Sequence, residues 1–89
     1  MPYRIEITRR AERVLKRVPA RDASRISAAL DSLSEEPFPR GTLKLSGFTP
    51  PLWRIRVGEY RIVYSVSVEG MAVIVQLIER RTTQTYENL

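Results

Sequence analysis

The stretch Trp53–Tyr64, WRIRVGEYRIVY, alternates apolar and charged side chains on both sides of a Gly-Glu pair. A period of two is typical of strands that bury one face. Glycine also suits the first position of a two-residue type II′ turn, because it adopts positive φ without steric cost. We therefore predict a hairpin of two strands, Trp53–Val57 and Tyr60–Val68. Its register pairs Val57 with Tyr60, Arg56 with Arg61, Ile55 with Ile62 and Arg54 with Val63.

The flanking segments on either side of this hairpin extend the same sheet. Met71–Ile78 reads as a further strand after a turn at Glu69 and Gly70, and TLKLSG, residues 42–47, as a short strand or extended segment. At the start of the chain, YRIEI places Tyr3, Ile5 and Ile7 on one side, which indicates a first strand.

Helical periodicity occupies the region between the first strand and residue 36. Apolar residues at positions 11, 14, 15 and 18 form one stripe after Thr8, a plausible N-cap, and Pro19 ends this helix. A second helix fits residues 21–35. The order β-α-α-β-β-β defines an α+β domain spanning residues 1–89, in which a mainly antiparallel sheet packs against an N-terminal two-helix hairpin.

The predicted pairings sort the strand residues onto two faces of the sheet. With Glu69 and Gly70 as the second loop, Val63 pairs with Gln76, Ile62 with Leu77 and Arg61 with Ile78. The face toward the helices then holds Trp53, Ile55, Val57, Tyr60, Ile62, Tyr64, Val66, Val73, Val75 and Leu77. The opposite face holds Arg54, Arg56, Arg61, Val63, Ser65, Gln76 and Ile78, with Arg80 just beyond the strand.

The opposed pair of arginines, Arg56 and Arg61, has two readings. Like charges directly opposite each other cost up to about 1 kcal/mol, and a solvated face could relieve that cost by splaying or through Glu59 and Glu79. Arg54, Arg80 and Arg81 converge on the same region, however, without an obvious carboxylate on their own face. We therefore expect a site for a multiply charged anion, with a nucleic-acid backbone as the leading ligand.

The overall composition limits the chemistry. The chain has 89 residues, a formal net charge of +5, no cysteine and no histidine. Disulfides, thiolate metal sites and the usual neutral-pH general base are therefore excluded, and neither a metal nor a cofactor is expected. The longest apolar run, Met71–Val75, is too short to span a bilayer, and MPYRIEITRR lacks the apolar core of a signal peptide. We expect a soluble, cytoplasmic protein without a membrane partner.

The segments KLSG, LWRIRVGEYRIVYSV and IERRTTQTY resemble the RelE/ParE superfamily of type II toxins. The resemblance covers nearly the whole chain and implies a two-helix hairpin on a mainly antiparallel sheet. It also implies a set of functional residues. Catalytic roles fall to Arg56, Arg61, Arg81 and Tyr86, and RNA contacts to Lys44, Arg54 and Arg80, the last being the alternative match to Arg81.

Within this superfamily, the match of the cationic set and of Tyr86 favours a RelE-like endoribonuclease that acts in the ribosomal A site. Such an enzyme uses the ribose 2′-OH against the adjacent phosphate and is neutralised by a cognate antitoxin, here expected to be acidic where it contacts the toxin. Ribosome and mRNA would then be partners. A ParE-like DNA gyrase inhibitor and a catalytically weak RNA- or antitoxin-binding module remain alternatives. Trp53, Tyr60 and Tyr64 are predicted to be core residues rather than a stacking platform.

Overall fold

The structure, a computed structural model, describes residues 2–81. Seven elements follow one another along the chain. They are β1 (Arg4–Ile7), α1 (Arg9–Arg17), α2 (Ala20–Glu35), β2 (Leu43–Leu45), β3 (Leu52–Val57), β4 (Tyr60–Ser67) and β5 (Ala72–Arg80).

The strands form one five-stranded sheet in the order β1-β5-β4-β3-β2. β1 runs parallel to β5, whereas the other neighbouring pairs are antiparallel. The predicted α+β class and mainly antiparallel sheet are confirmed. The segment left open as strand or extended chain is the short edge strand β2.

The two helices begin and end near the predicted residues. Thr8 caps α1, since its side-chain oxygen accepts a hydrogen bond from the Ala11 amide at 3.2 Å. Pro19 separates α1 from α2, whose core side is formed by Ile26, Leu30 and Leu33. Within residues 2–81, no helix combines the length and apolar character needed to cross a membrane.

The hairpin between β3 and β4 has the predicted register. Val57 pairs with Tyr60 and Arg56 with Arg61. Gly58 has a φ of +59° while Glu59 is not among the residues with positive φ, which is the combination expected for a type II′ turn. The alternating sequence therefore places the three arginines of this hairpin on one face.

The hairpin between β4 and β5 departs from the prediction in the length of its loop and in the register at its far end. Ser67 pairs with Ala72, so four residues rather than two form the loop, and Met71 adopts a φ of +49°. The predicted register holds from this loop as far as Tyr64 and Val75. A β-bulge then leaves Gln76 as the extra residue, so Val63 pairs with Leu77.

The bulge overturns the predicted faces of two adjacent residues. Ile62 pairs with Ile78 instead of Leu77, and Arg61 pairs with Glu79 instead of Ile78. Ile78 is fully buried in the core beneath the helices, and Leu77 lies on the opposite face. The predicted positions of Leu77 and Ile78 were therefore wrong, because one extra residue reverses the alternation beyond it.

The predicted core role of the aromatic residues is confirmed. Tyr64 has no exposed surface and Tyr60 is 7% exposed. Trp53 is half-buried and meets the ring of Phe38 edge to face, with the ring centroids 4.9 Å apart. Their rings pack under the helices and are not available as a stacking platform.

Tyr64 is expected to make stability depend on pH in the alkaline range. Its hydroxyl donates to the Pro37 carbonyl at 2.8 Å and lies 3.3 Å from the Thr42 hydroxyl. Burial raises the pKa of Tyr64 above its ordinary value of 10.0, although the Thr42 contact opposes this shift. Above about pH 10, Tyr64 ionises in the unfolded chain but stays neutral in the folded protein. The free energy of unfolding should therefore fall as pH rises.

Urea unfolding of wild type and Tyr64→Phe, at about pH 7 and about pH 10.5, measures this effect. The variant should lose about 1–2 kcal/mol near neutral pH, because the Pro37 carbonyl loses its donor. Its stability should then decline less than that of wild type at the higher pH. Equal declines in both proteins would contradict the role of Tyr64, because all other titrating groups are shared.

Candidate functional site

The arginine face is the surface of the sheet opposite the helices that carries Arg54, Arg56 and Arg61. Arg54 and Arg56 are two residues apart on β3, and Arg61 lies directly across from Arg56 on β4. Successive side chains alternate across a strand, so all three project to the same side. This part of the predicted site is brought together as expected.

A pocket of about 410 Å³ lies on this face. Half of its lining residues are apolar, and the polar ones are mainly cationic. The apolar residues are Leu45, Phe48, Leu52, Val63 and Leu77, and the polar ones are Arg10, Arg54, Arg61, Gln76 and Glu79. Phe48 is 51% exposed, so an aromatic ring is available beside the cations.

Sequence reasoning missed Arg10 and Phe48 as members of this pocket. Arg10 comes from the first turn of α1 and Phe48 from the loop between β2 and β3. Neither lies on a strand whose alternation could have placed it. An exposed aromatic between two segments with strand character was the only local signal for Phe48.

The expectation that the arginines lack a carboxylate on their own face was wrong. A side-chain nitrogen of Arg61 forms a salt bridge with Glu79, and the two side chains are 39% and 40% exposed. The β-bulge causes this contact, since it moves Glu79 rather than Ile78 opposite Arg61. A pair this exposed contributes about 0–1 kcal/mol, so it leaves Arg61 available to a stronger anionic ligand.

Arg54 and Arg56 make no ion pair within residues 2–81. The Nε atom of Arg54 is buried and has no hydrogen-bond partner there. Arg56 is exposed and is not among the residues that line the pocket. Because Arg54 also lines the pocket, a change of its side-chain conformation would let this unsatisfied donor bind a phosphate oxygen.

The remaining predicted residues do not all join the arginine face. Arg80 pairs with Tyr60, on the side of the sheet that faces the helices, and donates to the Glu59 carboxylate at 3.2 Å. Lys44 pairs with Trp53 and places its ammonium 5.8 Å from the centre of that ring. The expected convergence of Arg80 with the other arginines was therefore wrong, and Lys44 lies on the opposite face from them.

Two predicted catalytic residues lie at or beyond the end of the described chain. Arg81 directly follows β5, and its backbone amide donates to the Glu59 carbonyl at 2.6 Å. Successive side chains alternate across a strand, so the position after Arg80 falls on the arginine face. Tyr86 lies outside the described residues, so its assignment stays a prediction.

The arrangement is suited to holding a phosphodiester. Arginine stays charged at all accessible pH values and its planar fork matches two phosphate oxygens. Directly opposed residues of an antiparallel pair lie about 4.5–5.5 Å apart, so Arg56 and Arg61 can contact the same anion. Among the described residues that line the pocket, Glu79 is the one carboxylate.

The same architecture occurs in solved type II toxins. A chain of the RelE-RelB complex from Pyrococcus horikoshii OT3 superposes with a TM-score of 0.81 and 30% identity, covering 91% of this chain and 97% of that one. A chain of the toxin-antitoxin complex RelBE2 from Mycobacterium tuberculosis gives 0.79 and 28%, covering 91% and 100%. The isolated E. coli RelE toxin, at 22% identity, shares the fold with a TM-score of 0.80 over 97% of this chain and 93% of its own.

Fold and arginine face thus define a small toxin domain. Residues 5–84 match the family described as the ParE toxin of type II toxin-antitoxin systems, and the chain belongs to this family. The resemblance to the RelE/ParE superfamily is confirmed. The protein is a toxin of a type II toxin-antitoxin system.

Proposed function

We propose that this toxin is a ribosome-dependent endoribonuclease that cleaves mRNA in the A site. The observation that supports this function is the pocket on the arginine face, which Arg54 and Arg61 line together with apolar side chains and the exposed ring of Phe48. Such a pocket offers cations to the phosphates and an apolar surface to a base of a single strand. The similarity to a chain of the RelE-RelB complex from Pyrococcus horikoshii, at 30% identity, supports a RelE-like rather than a ParE-like toxin.

The proposed reaction is an internal transesterification. The ribose 2′-oxygen bonds to the adjacent phosphorus, the bond from phosphorus to the 5′-oxygen breaks, and a cyclic phosphate remains. The 2′-OH gives up a proton and the departing 5′-oxygen gains one. Charge builds on the phosphoryl oxygens in the transition state, which is where positioned arginines contribute most.

Specific roles follow from the positions on the arginine face. Arg61, with Arg81 after β5, would clamp the scissile phosphate, while Arg54 in the pocket and the exposed Arg56 opposite Arg61 would hold neighbouring phosphates. Tyr86 would stack on a base. We propose no role at this site for Lys44 or Arg80. Lys44 pairs with Trp53 and Arg80 pairs with Tyr60, so both positions belong to the opposite side of the sheet.

Two other functions each have an observation in their favour. The ParE description of the matching family favours inhibition of DNA gyrase. A catalytically weak RNA- or antitoxin-binding module is favoured by the lack of a proton acceptor other than Glu79 among the described pocket residues, since arginine is a poor general base. In every case we propose a cognate antitoxin whose acidic segment complements the arginine face.

Primer extension on mRNA translated by purified ribosomes distinguishes the three functions. The proposed nuclease should give cleavage at fixed codon positions only when ribosomes are present. The same preparation is added to DNA gyrase with supercoiled plasmid, where accumulation of cleaved DNA would instead identify a gyrase inhibitor. RNA binding without cleavage in either assay would identify the binding module.

A further inference from the structure

Helix α1 carries most of the excess positive charge of the chain. Its sequence, RRAERVLKR, contains five cations and one carboxylate, so its net charge is 5 − 1 = +4, compared with +5 for the whole protein. The arginine face uses only Arg10 from this helix. The remaining cations have no place in the proposed active site.

The cations of α1 are arranged as a stripe. Arg9, Arg13 and Lys16 follow an i, i+4, i+7 spacing, which places them on one side of a helix. The opposite side is buried, with Ala11 at 0% and Val18 at 9% exposure. Arg9, Arg13 and Lys16 are all exposed and, with Glu12, line a shallow depression of about 230 Å³.

We propose that this stripe is a second nucleic-acid contact of the toxin, one that docks the phosphate backbone of duplex RNA. Arg9 and Lys16 are separated by about 10 Å along the helix axis, at 1.5 Å per residue. One strand of B-DNA presents a phosphate for about every 3.4 Å of its axis, so a stripe of this length can span several successive phosphates of a duplex. The choice of RNA rests on the proposed function, since a ribosome presents duplex RNA.

Protein and membrane partners fit this stripe less well. A protein interface needs an apolar centre, yet the exposed large apolar residues among those described lie elsewhere, at Phe38, Leu43, Phe48 and Val68. A membrane-bound amphipathic helix inserts its apolar side, but here that side is packed on the sheet. A contact made through charge is what suits a stripe that carries no exposed large apolar side chain.

Glu12 is part of the arrangement and limits its charge. Its carboxylate lies 3.6 Å from the ammonium of Lys16, and both side chains are more than half exposed. Removing the negative charge should therefore strengthen a phosphate contact without disturbing the buried side of the helix. A variant of Glu12 should therefore change RNA affinity in the opposite direction to the loss of a cation.

Binding of a fluorescent RNA duplex of about 18 base pairs, measured by anisotropy over a range of salt concentrations, tests the surface directly. Arg9→Gln/Arg13→Gln/Lys16→Gln should weaken binding about 100-fold near 0.1 M salt and reduce the log-log salt slope by about 2–3. Glu12→Gln should tighten binding severalfold. The assay involves no cleavage, so its outcome is independent of the nuclease activity.

The matched control removes three exposed cations from other parts of the surface, in Arg21→Gln/Arg25→Gln/Arg40→Gln. It has the same net charge as the stripe variant and should lose less than about threefold in affinity and less than about 1 in slope. Equal losses in both triple variants would overturn the proposal. So would equally strong, stripe-dependent binding of an acidic peptide or of phosphatidylserine vesicles.

Discussion

Replacing Arg61 with alanine should reduce the rate of ribosome-dependent mRNA cleavage by about 10²–10³-fold, the loss typical when one preorganised donor to a transition-state oxyanion is removed. Arg61 lines the pocket, faces Arg56 across the strands and is positioned by its contact with Glu79. Single-turnover primer extension with excess toxin measures the rate. Folding should change little, because the Arg61–Glu79 pair is partly exposed and contributes about 0–1 kcal/mol.

Three further variants separate loss of the arginine from loss of charge or of fold. Arg61→Lys keeps the charge but not the fork, so it should recover only part of the rate. Glu79→Gln leaves Arg61 without its anionic partner and should strengthen RNA binding. Arg40→Ala removes an exposed arginine that does not line the pocket and should leave the rate unchanged. Cleavage by Arg61→Ala within about threefold of wild type would exclude Arg61 from transition-state stabilisation.

Most of the fold was predictable because the local signals agree with the tertiary structure. The Gly58-Glu59 turn fixes the register of β3 and β4, and with it the shared face of Arg54, Arg56 and Arg61. The helical stripe after Thr8 and the break at Pro19 likewise locate α1. In each case one short-range feature determines the geometry, so no knowledge of distant segments is needed.

The far end of β5 was not predictable for a physical reason. In the run Gln76-Leu77-Ile78-Glu79, two adjacent residues are apolar, so alternation cannot decide which one enters the core. The extra residue at Gln76 decides it, and a bulge has no marker in these residue types. The same shift creates the Arg61–Glu79 pair, so one undetected bulge altered both the core and the predicted charge of the site.

The composition of the pocket depends on contacts between segments distant in sequence. Arg10 and Phe48 line it beside Arg61, although they belong to α1 and to the loop before β3. Strand register relates residues only within the sheet. Arg54 and Arg61 on the strands were therefore predictable. The roles of Arg10 and Phe48 became apparent only from the packing of α1 and of the loop before β3.

Lysine at position 78 is expected to abolish cooperative folding, whereas lysine at position 77 should be tolerated. Ile78 is fully buried opposite Ile62, and an unpaired charge there costs several kcal/mol, comparable with the total stability of about 5–15 kcal/mol for a small domain. Leu77 is only half-buried and lines the open pocket, so Leu77→Lys should cost less than about 2 kcal/mol. Thermal unfolding followed by circular dichroism compares the two variants.

A β5 strand without the bulge leads to the opposite prediction, because it would place Leu77 in the core and Ile78 among the arginines. Ile78→Ala and Leu77→Ala give a graded version of the same comparison, in which the first should cost about 2–4 kcal/mol and the second about 1 kcal/mol or less. A larger loss at position 77 than at position 78 would show that β5 lacks the bulge. Glu79 would then leave the arginine face, and Arg61 would lose the partner that distinguishes this pocket from a purely cationic one.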